Sequence, residues 1–514
     1  MVSTPLARRA WIRRALAVIA APGSWIGPPC IGAAQPLAAP VFSGSELAHA
    51  RLLMAQAMRS DTAWRLVHEL AVGIGPRPAG SEGDRRAVAW AQQTLSALGL
   101  SRVRVQPIEL NTWQRVSASA TLTVNADGQL PRDLVLAALG NSISTPVEGL
   151  QAEVAWYPSL AALMQEPADP TRSKAAGRIV FVDQRTERTR DGSGYGRAVG
   201  ARVNGPIEAG RRGALAYGLR SVGTSGGTIP LTESTDSVRD QERIAHTGAT
   251  RYDLRVQPIP AFAVSVADAD VIAARVARGQ SLSLRLNLQN RTQVPSLTHN
   301  VLAEVPGTDL AHEVVLIGAH LDSWDLGQGA VDDGAGVAIV SAAAALIEQS
   351  VRTQPALRPR RTIRVVLFAN EENGFDGAVA YGKAHASEIH QMVAESDFGG
   401  GRIYRISSRV QSAALPLVAQ MAALLEPLGV APGSNEGNPG PDAAFLMRAH
   451  RWPALALSQD GTRYFDVHHT ERDTIDALDA TDLQQNVACW AAVAYLAAQA
   501  PSSFNPVPAS GPGR

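Results

Sequence analysis

Cysteine is scarce: Cys30 and Cys489 are the only two in 514 residues. If the amino-terminal segment is removed, Cys489 stands alone and no internal disulfide can form. A cysteine-built zinc site is excluded too, so any metal must rest on His, Asp and Glu. Excess charge of one sign is also missing. The 47 basic and 47 acidic residues cancel, and the pI is about 7.2. This removes the electrostatic case for nucleic acid or an anionic membrane surface as a partner. Beyond the amino-terminal segment no stretch approaches the ~18 consecutive apolar residues of a membrane span, so no membrane anchor is expected. What is present is 45% hydrophobic and 18% charged residues, an ordinary globular composition. The length suggests two or three domains.

The first forty residues read as an address. Arg8, Arg9, Arg13 and Arg14 precede a modest apolar stretch, Ala15 to Ala21, with small residues near Ala33 and Ala34. That is the pattern of an export signal, and the arginines approximate a twin-arginine motif. A periplasmic or secreted protein is expected, with a disordered basic tail as the bland alternative. From about Glu46 to Leu100 the apolar spacing predicts helices around a Gly/Pro-rich turn. "SRVRVQPIEL" and "ASATLTVNA" alternate as two strands. Residues 146–288 mix short strands and a helix with long polar stretches, and read as a domain inserted between two parts of a larger one, 45–145 and 289–502. Residues 503–514 read as a flexible tail. From His299 onward, near-continuous apolar strands alternate with helices, which predicts an α/β fold with a largely parallel sheet covered on both faces. Ligand sites in such sheets lie at the carboxyl ends of the strands.

The segment "VVLIGAHLDSWDLGQGAVDDGAG", Val314 to Gly336, runs from a strand-like stretch into one histidine, four aspartates and a burst of glycines. Carboxylates are costly to bury unless a cation sits among them. The arrangement recurs along the chain. His320 and Asp322 follow one strand, and Asp332 and Asp333 precede a helix. Glu371 and Glu372 follow another strand, Asp397 ends the next, and His468 and His469 lie in a loop after a fourth. In a parallel sheet these positions converge at one edge, where metal or buried ion pairs make them tolerable. Imidazole with carboxylate suits zinc. Five ligands with one carboxylate shared make a two-metal site with open positions, the ions about 3.5–4 Å apart. The expected shared ligand is Asp332, in the tightest turn, between Gly329 and Gly334. His320 and Asp397 complete one Zn²⁺, and Glu372 and His469 the other. Asp322 is placed to orient the His320 ring. Glu371, beside a ligand, is the candidate general base.

The stretches "GAHLDSWDLGQGAVDDGAG", "ANEENGFDGA", "ESD" and "HHTERDT" resemble the motif set of the co-catalytic zinc aminopeptidase and glutamate carboxypeptidase family. "GPRPAGS" (Gly75 to Ser81) and Trp324 to Ala330 resemble its plasma glutamate carboxypeptidase branch in particular. The resemblance covers most of the chain and implies the same ligand roles, with Glu371 as base. It also implies a mixed, mostly parallel sheet sandwiched by helices, and a β-rich protease-associated domain as the insert. "ANEENG" departs from the "AEEQG"-like text of many relatives, but both glutamates are kept. The expected activity is di-zinc hydrolysis of dipeptides or short peptides, through a hydroxide bridging the metals. A peptide is the expected partner, and a second copy of the chain is left open.

Other readings stand beside this one. The protein could trim the amino terminus of longer peptides, or be a metal-free binding ectodomain of the same fold. "GTSGG" (Gly223 to Gly227) matches a nucleophile elbow with Ser225, although no helix-forming sequence follows it. His68-Glu69 and His312-Glu313 fail the helical zinc motif, because their fifth positions are Val72 and Leu316. His468 is expected beside the ligands rather than among them. Tyr464 reads equally as an oxyanion donor and as a packed tyrosine. Asp442, in the Gly/Pro-rich loop "EGNPGPDAAF", is expected to face the substrate pocket. Asp325 and Asp333 read as turn or cap residues, and Asp473 as a support for the His469 loop.

Overall fold

A computed structural model of the chain describes residues 41–125, 130–224 and 243–506. The expected export segment 1–40, Ser225 and residues 507–514 lie outside them. Four apolar segments form the parallel centre of the sheet. In spatial order they are Ala454–Gln459, Ile389–Glu395, Leu310–His320 and Arg361–Phe368. Leu282–Val305 adds antiparallel on one side and Ile403–Arg409 antiparallel on the other. The sheet is therefore mixed, with a mostly parallel centre.

Both of its faces are covered, and the strand pleat shows how. Along Leu310–His320, Val315, Ile317 and Ala319 pack into one core with the helices Gly44–Ala57, Ala335–Thr353 and Ala480–Gln499. Val314 and Leu316 point the other way, against the helices Asp376–Ala384 and Pro441–His450. By length and composition the helical segment Ala330–Thr353 could cross a bilayer, which the sequence reading did not anticipate. In the fold 94% of its apolar window is buried, as in a core helix.

Two strands of 24 residues each, Ser101–Val124 and Leu282–Val305, pair antiparallel over their whole length. The first is one strand where two were expected. Register shifts between Thr112 and Gln114 and between Arg115 and Ser117 interrupt its alternation. This ribbon carries the central sheet into a second group of strands over the region expected as an insert. There Leu150–Tyr157, Ile179–Val182, Ala216–Arg220 and Ala261–Val264 run parallel, with the helices Ser193–Arg211 and Val266–Ala277. Residues 40–514 cluster as one compact unit. The expected flexible tail is anchored at its start. Phe504 is buried, and its N–H and the Ser503 hydroxyl both bond Gln391 Oε1 at 2.9 Å.

Candidate metal centre

Each expected donor stands at or just beyond an element's end. His320 is the last residue of its strand. Glu371 and Glu372 follow Arg361–Phe368, and Asp397 follows Ile389–Glu395. Asp332 lies in the turn Ala330–Gly334 that opens the long helix. His469 follows the short helix Tyr464–Val467 and holds φ at 62°. This left-handed conformation costs a non-glycine residue about 1 kcal/mol or more, so its surroundings must enforce it. The Thr247 N–H donates to the His469 carbonyl at 3.0 Å, and the His246 ring bonds the His468 carbonyl at 2.8 Å.

Asp332 sits between two groups of donors. Its Oδ1 is 3.1 Å from His320 Nε2, and its Oδ2 is 3.2 Å from His469 Nε2. His320 Nε2 lies 3.6 Å from Asp397 Oδ1, and His469 Nε2 lies 3.0 Å from Glu372 Oε2. Ligands about 2.0–2.1 Å from a tetrahedral ion stand about 3.3 Å from one another, and these separations bracket that value. Asp332 Oδ2 and Glu372 Oε1 are buried and make no hydrogen bond. The residues present therefore fit zinc. Donor atoms of His320, Glu371 and Asp397 also fall within 4.8 Å of one another, as do those of Asp332, His468 and His469. His468 lies 3.5 Å from Asp332 Oδ2 and stacks on His469.

The electrostatics reflect the crowding of acids. Burial pushes Glu371 well above the usual carboxylate range, reinforced by Asp397 and Glu372. Burial and then Asp332 raise Glu372 to about 7. Burial alone would lower the His320 and His469 imidazoles, but the carboxylates win. Asp397, Asp322 and Asp332 hold His320 well above its ordinary value, and Glu372 and Asp332 hold His469 at about 9. Burial would raise Asp332, yet the neighbouring His320 and His469 imidazoles hold it well below its ordinary value.

Surrounding residues fix these groups. His320 Nδ1 bonds the Asp322 carbonyl at 3.0 Å, while the Asp322 carboxylate accepts the Glu371 N–H at 3.1 Å. Asp322 thus orients the ring through its backbone and the base through its side chain. Asp333 accepts the N–H groups of His320 and Gly336, tying strand end to helix start. Asp325 pairs with Arg115. As expected, Asp473 holds the His469 loop: its N–H bonds the Thr470 carbonyl at 3.2 Å, and its carboxylate accepts the N–H of Val331 at 2.6 Å and of Asp332 at 3.3 Å, tying the loop to the Asp332 turn. Arg77 is fully buried. Its guanidinium donates to the carbonyls of Leu321, Gln328 and Gly329 at 2.6, 2.9 and 2.8 Å. The sequence showed Arg77 only as part of a Gly/Pro turn, because its partners lie 244 to 252 residues away.

These groups open on a cavity of about 860 Å³ lined by Asp332, Glu371, Glu372, Asp397, His468, His469 and Tyr464. Asp442 does not reach its wall. It is fully buried in the first turn of the helix Pro441–His450, not in a loop, and Glu395 and Gly440 form the wall there instead. A larger cavity of about 1360 Å³ shares Tyr464 and Phe398 but none of the expected ligands.

A family model described as peptidase family M28 matches residues 300–494, the stretch that carries every expected ligand. The chain is 32% identical over 429 residues to carboxypeptidase Q of Bos taurus, covering 83% of each chain. Carboxypeptidase Q of Homo sapiens matches at the same identity and coverage. A solved peptidase M28 precursor from Shewanella amazonensis superposes with a TM-score of 0.83 at 41% identity, over 91% of this chain and 99% of that one. A zinc aminopeptidase from Bacillus subtilis shares the fold at 18% identity and a TM-score of 0.55, over 84% of this chain and 94% of that one. The chain belongs to peptidase family M28 and is a metallo-exopeptidase.

Proposed function

We propose that the protein is a di-zinc exopeptidase acting on dipeptides or short peptides. The observation that carries this reading is the pair of donor groups on the two oxygens of Asp332, at separations suited to zinc. His320 and Asp397 would hold one ion, Glu372 and His469 the other, and Asp332 both. Bound zinc lowers the pKa of water and polarises the scissile carbonyl. The residues do the rest. Glu371 takes a proton from the attacking water and returns it to the leaving amine. The Asp322 carboxylate, on the Glu371 N–H, keeps that base facing the cavity. Arg77 and Asp473 hold the two ends of the loop that presents Asp332. Tyr464 and His468, both on the cavity wall, are placed to bind substrate. The name carboxypeptidase Q, borne by two relatives, supports cleavage at a carboxyl end over trimming at the amino end. The basic and then apolar segment from Arg8 to Ala21 supports export to the periplasm or beyond. Phenanthroline tested against a fluorophosphonate separates the chemistries. Metal catalysis is lost to the chelator and untouched by the fluorophosphonate, and the reverse result would mean serine catalysis.

A further inference from the structure

Three of the expected ligands, His320, Glu372 and Asp397, stand at or just past the ends of central strands, each of which has a paired strand on both sides. His469 lacks that support. It ends a loop that leaves the strand Ala454–Gln459, and the helix within the loop, Tyr464–Val467, has four residues. A helix that short is not stable by itself. Much of what holds the loop comes from the region 146–288. The Gly461 N–H donates to the Arg190 carbonyl at 2.9 Å, and the Thr224 N–H donates to the Phe465 carbonyl at 2.8 Å. The Tyr195 ring stacks on Phe465 with centroids 4.4 Å apart. These contacts add to the bonds that His246 and Thr247 make to the carbonyls of His468 and His469.

Arg188, between the strand Ile179–Val182 and the helix Ser193–Arg211, ties these pieces together. Its Nη1 donates to Asp466 Oδ2 and to the Thr462 carbonyl, both at 2.7 Å. Its Nη2 donates to Asp466 Oδ1 at 2.5 Å and to the Thr224 carbonyl at 3.2 Å. The Thr224 hydroxyl closes the ring by donating to Asp466 Oδ1 at 2.8 Å. Two parallel bonds between a guanidinium and a carboxylate fix orientation as well as distance. The two side chains are 34% and 29% exposed. Arg197 and Glu187 nearby make an ordinary surface pair, 57% and 72% exposed, that touches no part of the loop. Asp466 lies on the short helix that leads into His469, whose left-handed backbone needs its surroundings to enforce it. Partners that orient a metal ligand typically govern metal affinity by about 10–100-fold.

We propose that Arg188 is a positioning residue for the metal centre: its grip on Asp466 locks the loop and holds His469 on the ion it shares with Glu372. The second group of strands thereby sets the affinity of one metal position and leaves the other, at His320 and Asp397, to the central sheet. This goes beyond the di-zinc reading and rests on it. The test titrates zinc on the full chain against a competing chelator, for wild type, Arg188→Met, Arg188→Lys and Asp466→Asn, with Arg197→Met as control. Wild type is expected to bind two ions. Arg188→Met and Asp466→Asn each raise the dissociation constant of one ion by about 10–100-fold. The double variant adds little to either. Arg188→Lys, which keeps the charge without the fork, falls between, and Arg197→Met matches wild type. Two backgrounds identify the position. On Asp397→Asn, which spares the Glu372 side, adding Arg188→Met weakens the ion that remains. On Glu372→Gln, which spares the His320 side, adding it changes nothing. Unchanged zinc binding in Arg188→Met, or equal weakening on both backgrounds, would overturn the assignment and leave a two-ion wild type standing. A wild type that binds fewer than two ions with zinc supplied would overturn the di-zinc reading and this inference with it.

Discussion

Two regions of one sheet bury carboxylates and treat them in opposite ways. Beside the parallel strands, Glu304 is 1% exposed, and its oxygens meet Arg364 at 2.9 Å, Arg102 at 3.0 Å and Arg104 at 3.4 Å. Glu348 and Asp268 follow the same pattern, each with two arginines. At the carboxyl edge, Asp322, Asp332, Asp333, Glu372, Glu395, Asp442 and Asp473 are all buried. The arginine beneath them, Arg77, turns its donors to carbonyl oxygens instead. Glu304, Glu348 and Asp268 are matched by arginines, whereas the acids gathered at the strand ends make no arginine ion pair among the described residues. A carboxyl edge built this way is completed by cations from outside the sequence.

The largest effect should come from Asp332→Asn. It removes a charge from both donor groups at once, and activity should fall by more than about 10⁴-fold together with the bound metal. Retention of both ions would dissolve the contrast, since Asp332 would then be one more buried acid. Next is Glu371→Gln, which should cost about 10²–10⁴-fold in kcat with metal content unchanged. Near-normal activity would remove Glu371 as the base. On the paired side, Arg364→Met leaves Glu304 without its closest partner and should cost about 3–5 kcal/mol of stability in denaturant unfolding. Its zinc content should match wild type. The comparison sharpens if the two kinds of variant separate cleanly, one losing metal and the other stability.

The smallest effect concerns pH. His390 is buried, stacks on Trp452 at 3.6 Å and bonds the Tyr381 hydroxyl at 2.9 Å. Burial pulls it down to about 3 from an ordinary 6.5. The unfolded chain takes up a proton below pH 6.5 that the fold refuses, so stability present above 6.5 is lost as pH falls toward 3. The slope is at most about 1.4 kcal/mol per pH unit. His390→Phe should flatten the stability profile below pH 6.5, and an unchanged slope would assign the loss to other groups.

The gathering of these donors was legible because each follows a strand or opens a helix, and a parallel sheet brings such positions to one edge. His320, Asp332, Glu371, Glu372, Asp397 and His469 all meet there. What failed to show was long-range pairing. Asp473 supports Val331, 142 residues away, and Arg202 touches His469, 267 residues away. No local spacing encodes such contacts. Asp442 was misplaced for a different reason: the glycines and prolines before it read as loop, while Pro441 in fact opens a helix. The strand Ser101–Val124 was split because its register shifts break the alternation that marks a strand.

The most direct test counts metal. Full-length protein purified without chelator should carry two zinc ions per chain. Removing them should abolish peptide hydrolysis, and returning zinc should restore it. Material that hydrolyses dipeptides at full rate with no divalent metal bound would contradict the account.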